Sequence, residues 1–494
     1  MGERMDTVLR LPAFRLLLAA GLGFLLLAGC GHGPEKTAVP VQAPPVEPPR
    51  EPGCRGCHEL HLDPPHDLAC TECHGGDNTA HGQQAAHAGL IAKPAHPDRM
   101  AASCGRCHPG QVQAAAASAH FTLAGEVNTV RRAFGAIEPL ASATRIPEHQ
   151  EAASPLALAD DMLRRRCLRC HVYSSGDTYP ETRRGTGCAA CHLEYEGGGM
   201  RGHAMVKSPA DSQCLHCHYG NFVGADYHGR FEHDFGVEYR TPYRGEGESP
   251  RPYGVEFHQL VPDIHQRAGM ACIDCHSGAE LMGLHGGAGK KAVTVSCSSC
   301  HDRKQGGKPM DGLRQEAGRL ILTTRRTGKQ LVVPQLTHPA HRQYGKTVHC
   351  TVCHSQWSVS DQPTHLLRLD RPDFDRWCEL TVQGSFEVEQ NLGSGEASMA
   401  DGFSGEIRPG LWLMGYGLRR WEQPLVGHGE DGMLRLHRPI LDLHLSMVDQ
   451  QGAVRFDNIG PRREARRFLP YTPHTTGKAG AFYKERLRVN LPER

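Results

Sequence analysis

The sequence predicts a mostly irregular body of short α-helices wrapped around a core that is not polypeptide, followed by a small antiparallel β domain. Three observations point there. The pattern C-x-x-C-H occurs nine times between residues 54 and 354. The 494 residues are only 6% aromatic and hold 57 Gly and 34 Pro, so side chains alone would build a thin, turn-interrupted interior. Beyond Trp357 the repeated pattern stops and apolar residues begin to alternate with polar ones.

Composition excludes several classes. A mean hydropathy of -0.47 with 22% charged residues excludes a polytopic membrane protein. Lys+Arg 55 against Asp+Glu 54 leaves no basic excess, which argues against a nucleic-acid partner. Twenty cysteines suit an oxidising compartment or covalent cofactor attachment.

The first element is a leader. Arg4, Arg10 and Arg15 precede an apolar run from Leu16 to Ala28, too short to span a bilayer and fitted to a signal-peptide core. Leu27-Ala28-Gly29-Cys30 resembles the bacterial lipobox, which implies lipidation of Cys30 after removal of residues 1–29. Gly31 rather than Asp follows, which in lipoproteins implies sorting to the outer membrane. Pro34, Pro40, Pro44, Pro45, Pro48, Pro49 and Pro52 then make residues 30–53 an extended tether. At about 3.1 Å per residue it reaches up to roughly 70 Å.

The nine motifs are Cys54/Cys57/His58, Cys70/Cys73/His74, Cys104/Cys107/His108, Cys167/Cys170/His171 and Cys188/Cys191/His192, then Cys214/Cys217/His218, Cys272/Cys275/His276, Cys297/Cys300/His301 and Cys350/Cys353/His354. They use eighteen of the twenty cysteines, where chance would give roughly 0.05 copies of the motif. Two thiols three residues apart can add to the two vinyl groups of one haem, and the adjacent His reaches its iron as proximal ligand. Zinc sites share C-x-x-C but do not place His after every pair. A disulfide framework leaves the recurrent His unexplained, and cysteines three apart pair poorly with each other. The expected cofactors are therefore nine covalently attached haem c groups.

Organisation follows from the spacing. Residues 54–370 form the expected nonahaem region, with about 33 residues per haem up to the last motif. Ser154 as N-cap and Pro155 at the first helical position predict a helix running through Leu156, Leu158, Met162 and Leu163 to Cys167. A second helix is expected from Gln111 to His120. Leu320 to Thr324 and Leu331 to Val333, around Thr327-Gly328, predict a hairpin. Residues 371–466 are expected to be the antiparallel β domain, covering a haem or docking a partner. Leu441, Leu443, Leu445 and Met447 form one strand, Val454 and Phe456 another beyond the turn Asp449 to Gly452, and Leu380, Val382, Phe386 and Val388 a further one. Residues 467–494 are the tail. Cys378 is the one cysteine left over, read as a buried thiol ahead of an intermolecular disulfide.

The chain resembles bacterial exported multihaem c-type cytochromes over residues 54–354, most clearly at 263–278 (DIHQRAGMACIDCHSG) and 348–357 (VHCTVCHSQW). The resemblance implies neighbouring haems in contact and one distal iron ligand per haem. By position and resemblance the distal candidates are His66, His87, His120, His203, His233, His265, His341, His365 and His474. His216, inside the sixth motif, cannot reach its own iron. Eighteen propionates would carry the holoprotein to about −9 oxidised and about −18 reduced, so each added electron meets growing negative charge.

The resulting expectation is an outer-membrane-anchored electron carrier of anaerobic or extracellular respiration, facing periplasm or cell surface. Its partners would be other redox proteins, periplasmic or outer-membrane cytochromes and a porin conduit among them. The alternative is a multihaem reductase of nitrite, hydroxylamine, tetrathionate or a related oxyanion. Nitrite reductases of this superfamily commonly mark their open haem with C-x-x-C-K, whereas all nine motifs here end in His. No haem-crosslinking Tyr of the hydroxylamine oxidoreductase type is located. A third reading is a cytochrome filament subunit, which the lipid anchor disfavours.

Overall fold

The computed structural model describes residues 53–149, 151–176, 180–219, 223–232, 257–284, 293–302, 310–358, 360–361, 364–371, 380–381, 397–414, 419–420, 424–439, 443–462 and 468–480. Cys30, the tether, His233 and Cys378 lie outside them, as do Leu441, Val382, Phe386 and Val388 of the expected strands. No helix among the described residues is long and apolar enough to cross a membrane.

Short helices dominate the first half. The stretch expected as one helix from Gln111 to His120 is two, α1 (Pro109–Ala116) and α2 (Ala119–Thr122). Ser118 between them is extended, with ψ 164°, so the chain turns at the end of the alanine run. Leu123, at φ 45°, then separates α2 from α3 (Ala124–Ala133). Helix α4 (Pro155–Met162) has the expected cap: the Ser154 hydroxyl accepts the Ala157 N–H at 3.1 Å, with Pro155 at the first position. Its continuation, Leu163–Cys167, widens into a π-turn and delivers Arg164 and Arg165 inward just ahead of the fourth motif.

Among the described residues a short antiparallel pair, Arg230–Glu232 with Phe257–Gln259, and two larger antiparallel sheets lie among the motifs. The first pairs β1 (Leu193–Glu196) with β2 (Gly199–Met205) directly after the fifth motif. The second joins β3 (Leu313–Glu316), β4 (Arg319–Thr323) and β5 (Gln330–Val332). The β4–β5 hairpin has the register Ile321 to Val332 and Leu322 to Leu331, and its turn carries Gly328 at φ 67°. β3 had no alternation strong enough to announce it.

The larger sheet has the order β7 (Leu411–Met414), β6 (Thr364–Leu369), β8 (Leu443–Val448), β9 (Val454–Ile459). It is mixed rather than purely antiparallel, because β8 runs parallel to β6 with Leu443 opposite Thr364 and Val448 opposite Leu369. Parallel neighbours need a long crossover, and sheets built this way are covered on both faces. Accordingly His444 and Ser446 are buried along with Leu445 and Met447. One face packs Leu366, Trp412, Leu445 and Met447 onto Leu158, Met162 and Val127 of the helices. The other gathers Leu367, Leu369, Leu413 and Val448 with Leu380.

That shared core makes the β region continuous with the motif region, and residues from Glu51 onward form one compact unit. The strands begin before residue 371, since β6 occupies 364–369. Buried ion pairs reinforce the join. Arg164 donates to both oxygens of Asp401 at 2.7 and 2.9 Å. Arg165 donates to the carbonyls of Pro409 and Gly410, and the Trp412 indole N–H donates to Asp161 at 2.7 Å.

Candidate cofactor site

The motif is built by one turn of helix. The His58, His74, His108, His192 and His276 N–H groups each donate to the carbonyl of the first cysteine of their motif, at 2.8 to 3.0 Å. One turn puts the two cysteines, three residues apart, on a common side. The ring is then held from behind. The Nδ1 of His74, His192, His301 and His354 faces the carbonyls of Ile91, Val206, Pro334 and Gly477 at 2.7 to 3.0 Å. The Nδ1 of His276 faces the Glu280 carboxylate at 2.7 Å. Such partners fix the tautomer and leave Nε2 as the lone-pair donor, the arrangement usual for metal-bound imidazole.

The motif thiols differ in exposure. All eighteen motif cysteines are free, as thioether attachment requires and a disulfide framework would not allow. They are not uniformly enclosed in a core, however. Cys57, Cys107 and Cys353, the second cysteines of the first, third and ninth motifs, are exposed, as are Cys73, Cys167, Cys191 and Cys350. The reason is the shortness of the elements that carry them. Cys57 ends the four-residue helix Cys54–Cys57, Cys107 caps the single turn Cys104–Arg106, and Cys353 lies in the five-residue helix Cys350–His354. Elements of this length have no broad apolar face to fold over a sulfur. Polypeptide therefore does not bury Cys57, Cys107 or Cys353, and their sulfurs stay reachable for addition to a vinyl group.

Seven motif histidines face a second histidine. The ring centres are 6.1 Å apart for His58 and His87, His66 and His108, and His120 and His218. They are 5.8 Å apart for His74 and His203, 6.0 Å for His265 and His301, 6.3 Å for His276 and His474, and 6.1 Å for His341 and His354. Direct ring stacking would bring them closer. Two metal–nitrogen bonds of about 2 Å, with each ring centre ~1.1 Å behind its nitrogen, give about 6.2 Å. The residues at these seven motifs therefore fit a haem iron held between two imidazoles. Burial holds His120, His203, His301 and His474 below the usual histidine range, which favours the neutral, ligating form.

The remaining candidates fall differently. His365 faces His444, not a motif histidine, at 5.3 Å, because the parallel register sets the two side by side on β6 and β8. His233 lies outside the described residues, and among the described residues no ring stacks against His192. His216 is buried, with Nδ1 against the Glu181 carbonyl and Nε2 without a partner.

The fourth motif departs from the others. Its turn is tighter: the His171 N–H donates to Leu168 at 2.9 Å rather than to Cys167. The His171 Nε2 faces the Phe121 carbonyl at 3.0 Å, and Nδ1 accepts the Tyr173 N–H at 3.3 Å. Tyr173 stacks on the ring at 4.9 Å, and Phe403 from the β region meets its edge at 5.7 Å. Burial pushes His171 down to about 4. In this arrangement the motif does not offer its Nε2 to an iron, so the fit found at the other seven does not extend to it. Arg184 and His216 are buried nearby, and Arg184 donates to the carbonyls of Arg169 and His171 at 3.0 Å.

The motifs are also neighbours in space. The thiols of Cys54 and Cys70, Cys104 and Cys188, Cys214 and Cys272, and Cys297 and Cys350 lie close enough to perturb one another's ionisation. Cys73 lies in the field of Cys104 and Cys107, Cys191 in that of Cys214, and Cys275 in that of Cys300. These proximities order the motifs as first, second, third, fifth, sixth, seventh, eighth, ninth. The fourth stands beside the sixth, with the Cys217 sulfur 3.0 Å from the Cys170 carbonyl.

Sequence reasoning did not single out Glu280 or Asp263. Glu280 follows His276 by four residues across the extended break between two one-turn helices, Cys272–Cys275 and Gly278–Leu281, so no helical periodicity marks it as a partner behind the ring. Asp263 sits two residues before His265, the spacing of a helix cap. Among the described residues no group of three or more His, Cys, Asp or Glu side chains gathers as a bare metal ion would need. Comparison of the chain with protein-family models, curated proteins and solved structures finds no match.

Proposed function

We propose that the chain is an exported electron-transfer protein that carries nine c-type haems and is tied to the outer membrane through a lipid on Cys30. The observation that carries this reading is the set of seven motif histidines facing a second histidine at 5.8 to 6.3 Å. Bound there, each haem iron would exchange one electron without a change of ligands. The chain supplies attachment through the eighteen motif cysteines, axial ligation through paired imidazoles, and spacing. Ring-holding carbonyls and Glu280 keep the imidazoles fixed, so little rearrangement accompanies a change in charge. The contiguous row of motifs supports a path that takes electrons from one redox protein and passes them to another.

The test is a count of low-spin centres in the oxidised holoprotein by magnetic circular dichroism and electron paramagnetic resonance. At least seven haems should give bis-imidazole signals. A sample dominated by high-spin or Met-ligated iron would overturn the reading.

One observation favours a second reading. The fourth motif faces no second histidine among the described residues and has buried Arg184 and His216 and half-buried Tyr173 at hand. A haem there would be the natural place for an oxyanion substrate, as in a reductase of nitrite, hydroxylamine or tetrathionate. Turnover of such a substrate, lost when Cys167 and Cys170 are both replaced by Ala, would select it.

A further inference from the structure

We infer that Asp263 is a positioning residue that sets two distal histidines at once, His265 directly and His474 through the C-terminal tail. The inference rests on the ligation reading above. Asp263 is almost fully buried, and three N–H groups converge on its one carboxylate. Its Oδ1 accepts the His265 backbone N–H at 2.8 Å and faces the His265 Nδ1 at 2.8 Å. Its Oδ2 accepts the Thr476 N–H at 2.5 Å.

The two arms reach different motifs. His265 faces His301 of the eighth motif, so the carboxylate behind it orients the ring and makes it a more basic ligand. Thr476 follows His474 by two residues, and His474 faces His276 of the seventh. The tail is stitched in both directions, since the Ile264 N–H donates back to the Thr476 carbonyl at 2.8 Å. The Gln356 side chain bridges the carbonyls of Pro262 and Thr476 at 2.9 and 3.0 Å. The Gln356 backbone N–H binds the Thr475 carbonyl at 2.8 Å, and the Thr475 hydroxyl donates to Trp357 at 2.5 Å. One residue further, the Gly477 carbonyl holds His354 of the ninth motif. A single carboxylate thus anchors ligands for two adjacent haem sites in the row, on a segment that also touches a third.

Asp263 also caps the helix Ile264–Ala268, and this is the competing account of its burial. Substitution separates the two. Asn offers one acceptor oxygen where three donors converge, and Ser caps a helix well but is too short to serve both arms. The experiment is a redox titration of the holoprotein, followed by electron paramagnetic resonance, for Asp263→Asn, Asp263→Ser and His474→Ala. His474→Ala marks the seventh-motif signal by removing it. Both Asp263 variants should keep their haems, yet shift that signal and one other together. The eighth-motif haem should rise in potential, with its oxidised-to-reduced ratio at fixed potential changed at least tenfold, about 59 mV for one electron.

A shift of only one signal, or wild-type behaviour of Asp263→Ser, would reduce Asp263 to a cap and overturn the inference. If the unaltered protein carries no bis-imidazole haem, the ligation reading itself fails instead. Should both variants fail to accumulate, hydrogen exchange in the unaltered holoprotein decides. The Thr476 amide must be among the slowly exchanging ones, and rapid exchange there would contradict the tie.

Discussion

The imidazoles of His276 and His474 lie nearly parallel, 23° between planes and 6.3 Å between centres, although almost two hundred residues separate them. Chain ends are mobile unless tied down, and this tail is tied at Thr475, Thr476 and Gly477. Pro473 fixes its own φ and restricts Thr472 to extended geometry, so His474 projects from a stiff segment. His474→Ala should therefore convert one haem to a high-spin form that accepts carbon monoxide or cyanide, with haem content unchanged. Optical and magnetic spectra identical to the parent's would refute ligation by His474.

The join between the helices and the β region depends on Arg164 and Asp401, whose side chains are 10% and 2% exposed. Asp401→Ala leaves Arg164 with the half-exposed Glu148 carboxylate at 2.7 Å as its remaining charged partner, so the cost falls below the about 3–5 kcal/mol of a buried charge left unpaired. Asp401→Ala should lower the denaturation midpoint by a corresponding amount, measured on the holoprotein. Burial raises the Asp401 carboxyl, but hydrogen bonds from Arg164 and from the Ser404 and Phe403 amides outweigh it and hold the group below the usual range. Its folded value lying below its unfolded one, the stabilisation is complete above about pH 4 and is lost as the pH falls through the folded value. Asp401→Ala should flatten that acid arm of the stability curve.

The fourth motif should be the odd member of the set. With His171 held by the Phe121 carbonyl and covered by Tyr173 and Phe403, exogenous cyanide or carbon monoxide should bind one haem in the unaltered protein. Phe403→Ala, which uncovers the ring edge, should speed that binding several-fold. The Cys167→Ala/Cys170→Ala variant should abolish it. Binding that persists in this double variant would move the open site elsewhere.

How much of this was legible in the sequence varies with the range of the interactions. Ser154 and Pro155 cap and start their helix through local hydrogen bonding, and the 320–333 hairpin follows from alternation around Thr327-Gly328; both are short-range and readable. The pairing of β6 with β8 was not, because nothing in the alternation of Leu443, Leu445 and Met447 tells a parallel neighbour from an antiparallel one. The same blindness misplaced His365, whose neighbour His444 is set by that long-range register. His66, His87, His120, His203, His265, His341 and His474 were marked by position and family pattern, and the fold brings each to a motif histidine. Which motif each meets depended on tertiary contacts: His66 crosses to His108, and His203 returns to His74. Spacing located every motif cysteine but not its exposure, so nothing set Cys57, Cys107 and Cys353 apart from the less exposed Cys54, Cys104 and Cys170. The exceptional fourth motif carries no sequence signal, since its C-x-x-C-H reads like the rest. Its difference arises from the π-turn before Cys167 and from Phe121 and Phe403, distant in sequence.

The proposed anchor rests on Cys30 and the proline-rich segment after it. Cys30→Ala should be exported and loaded with haem, yet recovered in the soluble fraction after cell disruption. Sedimentation with membranes at the parent's level would rule out lipid attachment at this residue.

The central claim is that each of the nine C-x-x-C-H turns holds a covalent haem. The intact mass of the exported protein, measured after denaturation, tests it most directly. The expected mass is that of residues 30–494 plus nine haems and the lipid on Cys30, with Cys378 the one thiol left to titrate. A mass equal to the bare chain, with the eighteen motif thiols free or released from zinc by acid, would contradict it.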